Sequence, residues 1–340
     1  MSTKTRWKAA AAATVTGLIA LTACGGGSNA AGGGTSELNI VGYSVLEQAN
    51  NGVVKGFQGT SAGKDVDFKT SYGASGDQAR AVLAGQKADE VHLSLEPDVT
   101  KLVDAGIVDK GWKDNATKGI CTSSVVVIVV RKGNPKHIKG WDDLVKPGVG
   151  IVTPNPASSG SAKWNLLAAY GHVLAQGGDE TAAKAYITKF FKNTVALPDS
   201  GRDATTAFTG GNGDVLLSYE NEAILARQSG ADFDYIVPDQ SLLIQNPCAV
   251  TKGAPKAAQS FLDYQKSAAG QKAYAATGYR PISDIGQVDV KGATDEANPF
   301  PKPSVLQTID GDFGGWDAAN KKFFDDNAGI LTRLQAAAGK

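Results

Sequence analysis

Short turns that combine serine with glycine carry the chemistry that this sequence could perform. Four of them stand where a strand pattern gives way to a helix pattern: Ser44 in GYSVLEQ, Ser75 and Gly76 in YGASGDQAR, Ser159, Gly160 and Ser161 in NPASSGSAKW, and Ser200 and Gly201 in DSGRDATT. Each turn offers hydroxyl donors and backbone N–H groups at the positive end of a helix dipole. One such turn alone is usually a helix cap. Four of them at the carboxyl ends of strands, where open α/β sheets bind ligands, predict a site for an anion.

Residues arranged for catalysis are not evident in the sequence. GTSAG from Gly59 has the GxSxG spacing, but no strand pattern precedes it as a nucleophile elbow requires, and no histidine stands in a context that would activate Ser159. The stretch GTSAGKD from Gly59 has three residues where a phosphate-binding loop needs four, and it ends in aspartate. Glu220 and Glu222 fit an amphipathic helix, which predicts that they lie on a solvated face. We therefore expect a binding protein and not an enzyme; a secreted hydrolase and a passive surface adhesin are the alternatives from other classes.

Metal ions, cofactors and nucleic acids are not indicated either. His92, His137 and His172 occur singly, without the spacing of a metal site, and we interpret them as surface or structural residues. The chain has 34 Lys and Arg against 34 Asp and Glu, so no basic excess points to a nucleic-acid partner. The ligand is not selected by bulk charge.

The N-terminus has the pattern of an export signal. A positively charged start precedes an apolar run that is too short to span a bilayer as a helix. This pattern predicts a signal peptide over 1–23. LTAC resembles a bacterial lipobox, in which Cys24 would carry the lipid; an ordinary secreted protein is the alternative. Residues 24–36 are rich in glycine and serine and are expected to form a flexible tether. These features predict an extracytoplasmic protein anchored to the cell membrane through its lipid.

The remaining chain alternates strand and helix patterns. Strands are predicted in ELNIVGYS, KADEVHLSL, CTSSVVVIVVRKG, VGIVTPN, GDVLLSY, FDYIVP and LLIQNPCAVTKG. Helices are predicted in DQARAVLAG, EPDVTKLVDAG, SAKWNLLAAYGHVLA, DETAAKAYITKFF, RDATTAF, NEAILARQ, APKAAQSFLDYQKS and AGQKAYAATG. This alternation predicts an α/β fold with mainly parallel sheets flanked by helices. Roughly 300 mature residues suit two lobes better than one open sheet.

Several segments together resemble one family, the sulfate and thiosulfate-binding proteins of ABC importers. They are RKGNPKHIKGWDDLVKPGVGIVTPNPASSGSAKWNLLAAYG, GDVLLSYENEA, GQKAYAATGYRPI and FGGW. The resemblance covers nearly all of the chain from Glu37 onward. It implies the two-lobed type II fold of periplasmic binding proteins with two hinge crossovers, one lobe formed by 37–121 and 249–340 and the other by 122–248. It also implies an ABC permease as partner, a monomer, and no cofactor.

The resemblance assigns the ion ligands by position. Ser44 and Ser75 would donate from the first lobe, and the second lobe would contribute Ser159, Gly160, Ser161, Gly201 and Tyr219. Two positions depart from the family pattern, because Ser161 replaces a second glycine and Tyr219 replaces a tryptophan. Related molybdate binders use a tyrosine in the corresponding strand. Sulfate is therefore the expected ligand, with molybdate or thiosulfate as alternatives.

Cys121 and Cys248 are the cysteines of the chain besides Cys24. In an oxidising compartment two such thiols often pair, although two separate buried thiols are an alternative. Cys121 is expected to open one long strand and Cys248 another, and the resemblance implies that these strands are the two crossovers between lobes, with a disulfide there.

Overall fold

The computed structural model describes residues 36–340, and these form one α/β unit. The strands are β1 (Ser36–Tyr43), β2 (Val66–Gly73), β3 (Glu90–His92), β4 (Ile120–Arg131), β5 (Ile151–Val152), β6 (Thr194–Ala196), β7 (Val215–Tyr219), β8 (Phe233–Ile236), β9 (Gln240–Val250) and β10 (Val305–Gln307). The longer helices are α1 (Glu47–Gln58), α2 (Ser75–Leu83), α3 (Glu96–Asp104), α5 (Gly160–Ala175), α6 (Glu180–Asn193), α7 (Gly201–Thr209), α8 (Glu220–Gln228), α9 (Lys256–Lys266), α10 (Ala268–Ala275) and α13 (Ile330–Ala337). The short ones are α4 (Trp141–Leu144), α11 (Ile309–Phe313) and α12 (Trp316–Ala319), with a 3-10 helix at Ser44–Leu46 and a π-helix at Asn320–Phe324.

The strands follow the order β2-β1-β3-β9-β4-β7-β5-β6 in a mixed sheet, with β10 beside β9 and β8 beside β4. The outer pairs are parallel, as the alternation of strands and helices predicts. The antiparallel pairs all involve β4 or β9, the two long strands that run side by side through the middle. The α/β class is confirmed, and the parallel arrangement applies to the two ends of the sheet and to the pair of β9 with β10.

The valine-rich strand β4 shows why this sequence folds as it does. Its residues from Cys121 to Val130 are all buried, because neighbours pair with both of its edges and helices cover both of its faces. Side chains alternate between the two faces. Val126 and Ile128 join the core around α5, whereas Val125 and Val127 join the core around α7 and α8. A run of β-branched residues is therefore what a strand buried on both faces requires.

The C-terminal segment packs on α5 and α6. The Gln307 side chain donates to the Gly171 carbonyl oxygen at 3.2 Å, and the rings of Tyr170 and Phe323 lie 4.8 Å apart. Lys322 forms an ion pair with Glu180 at 2.8 Å. The last part of the chain thus contacts helices of the region that the sequence assigned to the second lobe.

Within residues 36–340, no helix combines the length and the apolar character needed to cross a bilayer.

Candidate functional site

The helix starts predicted from the sequence lie next to one another. The Ser44 hydroxyl accepts a hydrogen bond from the backbone N–H of Arg202 at 3.5 Å, so the 3-10 helix after β1 meets the start of α7. Gly201 packs on the start of α5, because a Cβ atom at this glycine would lie 3.3 Å from the Ser161 Oγ atom. Turns that are more than a hundred residues apart in sequence therefore share one place in the fold.

The start of α2 reaches the same place. The Gly76 N–H donates to the carbonyl oxygen of Ser158 at 3.1 Å. The Ser75 hydroxyl donates to Asp98 Oδ2 at 2.7 Å and accepts from the Ser94 N–H at 3.0 Å. Because its hydroxyl hydrogen is used by the carboxylate, Ser75 retains only one of the two donors expected from its sequence position. That donor is its backbone N–H, which has no intrahelical partner in the first turn.

Helix capping accounts for only one of the four serine turns. Ser200 caps α7, since its side chain accepts from the Asp203 N–H at 3.1 Å. Ser159 precedes α5 in the cap position but makes no side-chain cap hydrogen bond, and its own N–H donates to Asn155 at 2.8 Å. The Ser159 hydroxyl and the N–H group of Gly160 at the helix start are thus available to a ligand.

Tyr219 joins the site through a serine that the sequence analysis missed. The Tyr219 ring is buried, and its hydroxyl lies 2.7 Å from the Ser94 Oγ atom. Ser94 also touches the start of α5, because a Cβ atom at Gly160 would lie 2.7 Å from the Ser94 Cβ atom. The missed signal was the position of Ser94 between β3 and α3, which repeats the strand, serine, helix order of the other turns.

A buried layer of neutral polar groups holds Ser94 in place. The Ser94 carbonyl oxygen accepts from the Asn246 amide at 3.1 Å. The Asn246 Oδ1 atom accepts from the Tyr43 hydroxyl at 3.0 Å and from the Thr122 hydroxyl at 3.2 Å. His92 lies 3.1 Å from Thr122, and burial lowers the pKa of His92 to about 3, so its ring is neutral at pH 7. The side chains of Asn246, Tyr43, Thr122 and His92 beneath Ser94 thus carry no charge.

Two arginines beside the site are already paired. The Arg202 guanidinium contacts both Glu222 carboxylate oxygens, at 2.8 and 2.9 Å. Arg280 contacts both Glu220 oxygens, at 2.6 and 2.9 Å. An anion at this site would therefore meet neutral donors and not a free positive charge.

The prediction that Glu220 and Glu222 lie on a solvated face is wrong. They are 0% and 1% exposed. The first two turns of α8 are buried on all sides, and the two arginines come from α7 and from the loop after α10, so the pattern of α8 alone could not reveal them. Burial raises the pKa of each carboxyl to about 7, against the lowering effect of its arginine.

The structure joins Cys121 to Cys248 in a disulfide whose Cα atoms are 5.8 Å apart. The bond links the beginning of β4 to the end of β9, beside the antiparallel pairing of these strands. The expectation that Cys248 opens its strand is wrong, because β9 begins at Gln240 and runs antiparallel to β4. Cys24 lies outside the described residues. No group of three or more potential metal ligands occurs between residues 36 and 340.

An α/β fold built on a mixed sheet, with helix starts gathered around a set of neutral donors, defines a type II periplasmic binding protein. The family model for bacterial extracellular solute-binding proteins matches residues 38–280. The chain belongs to this family.

Individual relatives extend over most of the chain. A sulfate-binding protein of Synechococcus elongatus is 39% identical, over 99% of this chain and 100% of the relative. A thiosulfate-binding protein of Pseudomonas aeruginosa is 35% identical, over 93% of this chain and 96% of the relative. The solved structure of the sulfate-binding protein SubI from Mycobacterium tuberculosis is 43% identical with a TM-score of 0.79, and the match covers 85% of this chain and 100% of that one.

Proposed function

We propose that this protein captures sulfate outside the cytoplasm and delivers it to an ABC importer. The observation that carries the proposal is the meeting of three helix starts and Tyr219 at a place where each nearby arginine is already paired. The sulfate-binding names of relatives that match nearly the whole chain support it. The protein acts by binding and release, without catalysis.

Neutral donors can supply the affinity that such a role needs. Hydrogen bonds to a charged group contribute about 1.5 to 3 kcal/mol each. A helix N-terminus adds roughly 0.3 to 2 kcal/mol for a negative charge. Half a dozen such contacts can outweigh the desolvation of a dianion and leave about −8 kcal/mol, which corresponds to micromolar affinity.

The same donors favour sulfate over phosphate. Sulfate carries no proton at neutral pH and only accepts hydrogen bonds, whereas phosphate retains a proton that needs a buried acceptor. The Asp203 carboxylate, one candidate acceptor, is occupied by the Ser200 hydroxyl at 2.7 Å. Thiosulfate is the second candidate ligand, because a thiosulfate-binding relative covers almost the whole chain. Molybdate is a third, on account of Tyr219.

We further propose that the ligand lies between two lobes. The sheet supports this division, because the β2-β1-β3 end and the β7-β5-β6 end are connected through the β9 and β4 pair. Residues 37–121 with 249–304 form one lobe, and 122–248 form the core of the other. The C-terminal segment from β10 onward is best grouped with the second lobe, because it packs on α5 and α6.

The lipid anchor is a separate proposal. A signal peptide, Cys24 and a glycine-rich tether would leave a monomer attached to the outer side of the membrane, near its permease. Expression of a Cys24→Ser variant tests the anchor. The variant should move from the membrane to the soluble fraction, and unchanged membrane partition would refute lipidation at this residue.

Titration with sulfate, thiosulfate, molybdate and phosphate at equal ionic strength tests the ligand. Tryptophan fluorescence should report binding, because the Trp164 ring donates to the Ser94 carbonyl oxygen at 3.1 Å. Calorimetry of the same samples gives the affinity. We expect micromolar or tighter sulfate binding and no phosphate binding in that range. A preference for molybdate or thiosulfate would replace sulfate within the same class, and no response to any oxyanion would refute the proposal.

A further inference from the structure

A cavity lies beside the anion site, between α7 and α8. Its volume is about 330 Å³, and its walls include Gln48, Arg202, Thr205, Thr209, Glu222 and Ala226. Gln48 comes from α1, so the cavity reaches the part of the fold that carries Ser44. Arg202 and Glu222 both line this cavity, Arg202 with a side chain that is 26% exposed and Glu222 with one that is 2% exposed.

The backbone N–H and the side-chain guanidinium of Arg202 lie in different surroundings. Its backbone N–H lies at the site, 3.5 Å from the Ser44 hydroxyl oxygen. Its guanidinium is turned to the Glu222 carboxylate, with nitrogen to oxygen distances of 2.8 and 2.9 Å. Because Arg202 lines the cavity, loss of the Glu222 carboxylate would leave the Arg202 side chain a space in which to move. A long arginine side chain that starts next to the anion could then reach it.

We propose that Glu222 is a specificity-determining residue, which holds the Arg202 guanidinium away from the anion site. This inference rests on the proposed function. A free positive charge attracts every oxyanion, including one that carries a proton, so it would strengthen binding and weaken discrimination. With the charge held by Glu222, the site selects its ligand through the pattern of neutral donors alone.

Glu220 provides a matched control. It stands in the same first turn of α8, is equally buried, and also pairs with an arginine through two contacts. Its partner Arg280 is fixed by a further hydrogen bond to the Pro301 carbonyl oxygen at 2.8 Å. Glu220→Gln and Glu222→Gln thus make the same chemical change at two buried ion pairs, of which only one involves a residue of the anion site.

The experiment measures sulfate and phosphate affinities of the wild type and both variants by calorimetry, at low and high sodium chloride. For Glu222→Gln we expect phosphate binding to appear and the sulfate to phosphate affinity ratio to fall by about tenfold or more. Binding by this variant should also weaken more steeply with salt than wild-type binding. Glu220→Gln should keep the wild-type ratio and salt dependence.

A double variant, Arg202→Gln with Glu222→Gln, leaves no unpaired buried charge and remains informative if Glu222→Gln does not fold. It should retain the wild-type ratio, because the guanidinium is not a ligand. Equal ratios in the two single variants, or a lowered ratio in the double variant, would overturn the inference. Failure of the wild type to bind sulfate would instead refute the proposed function.

Discussion

Replacement of Gly160 by alanine tests the closed arrangement of the site. A Cβ atom at this position would lie 2.7 Å from the Ser94 Cβ atom and 2.9 Å from the Leu95 Cγ atom. Both distances are shorter than carbon atoms in contact allow. Ser94 cannot retreat freely, since its carbonyl oxygen is held by the side chains of Asn246 and Trp164.

The free-energy cost of this clash can be given, and it should apply mainly to the ligand-bound protein. An extra methyl group in a packed place costs typically about 1 to 3 kcal/mol. Gly160 and Ser94 belong to different proposed lobes, so the clash arises when the lobes close on the ion and is relieved when they open. We expect sulfate affinity to fall by about 5- to 150-fold. The melting temperature of the ligand-free protein should stay nearly unchanged.

Two further glycines give a graded comparison. At Gly52, in the exposed part of α1, a Cβ atom would meet nothing within 4 Å, so alanine should leave affinity unchanged. At Gly201 the nearest atoms would lie 3.3 Å away, and the effect should be intermediate. Calorimetric titration gives the affinities, and thermal unfolding with and without sulfate separates weaker closure from general destabilisation. Wild-type affinity in Gly160→Ala, or an equal loss of stability without ligand, would refute the reasoning.

Three other predictions concern single groups. Burial without a paired cation raises the pKa of Glu90 to about 8. Between about pH 4.5 and 8 the folded protein therefore holds a proton that the unfolded chain releases. The contribution of Glu90 to the free energy of unfolding should fall as pH rises through this range, by at most about 1.4 kcal/mol per pH unit. Urea unfolding across this range should show a shallower decline for Glu90→Gln, and parallel curves would contradict the assignment. Tyr219→Phe should lower sulfate affinity by about 10- to 150-fold while phosphate stays excluded, and calorimetry showing no loss would exclude the hydroxyl as a ligand. Reduction of the Cys121–Cys248 bond should lower the free energy of unfolding by about 4 to 5 kcal/mol on the chain-entropy model, and an unchanged denaturation midpoint would contradict this.

Local patterns predict the fold where burial is periodic. The valine run of β4 and the apolar helix α5 are strong signals, and the structure has both. The strand β2 was missed, because exposed side chains such as Lys69 at the edge of the sheet weaken its apolar alternation. The short strands β6 and β10 were missed as well, since three residues are too few to show a period.

The sequence predicts those site residues whose role follows from their own turn. Ser159, Gly160 and Gly201 stand at helix starts, and sequence alone identifies such positions. Ser94 was overlooked, because its role comes from contacts with Tyr219 and the start of α5, which are distant in sequence. The burial of Glu220 and Glu222 is likewise a tertiary effect. No local pattern shows which arginine will face a carboxylate.

The disulfide between Cys121 and Cys248 also determines how the protein withstands proteases. It closes a covalent ring through a sequence separation of 127 residues, which contains all of β5, β6, β7 and β8. A single peptide-bond cleavage anywhere between residues 122 and 247 opens this ring without releasing a fragment. A protein exposed outside the cell could therefore be nicked once in any loop of this region and still remain one covalent molecule.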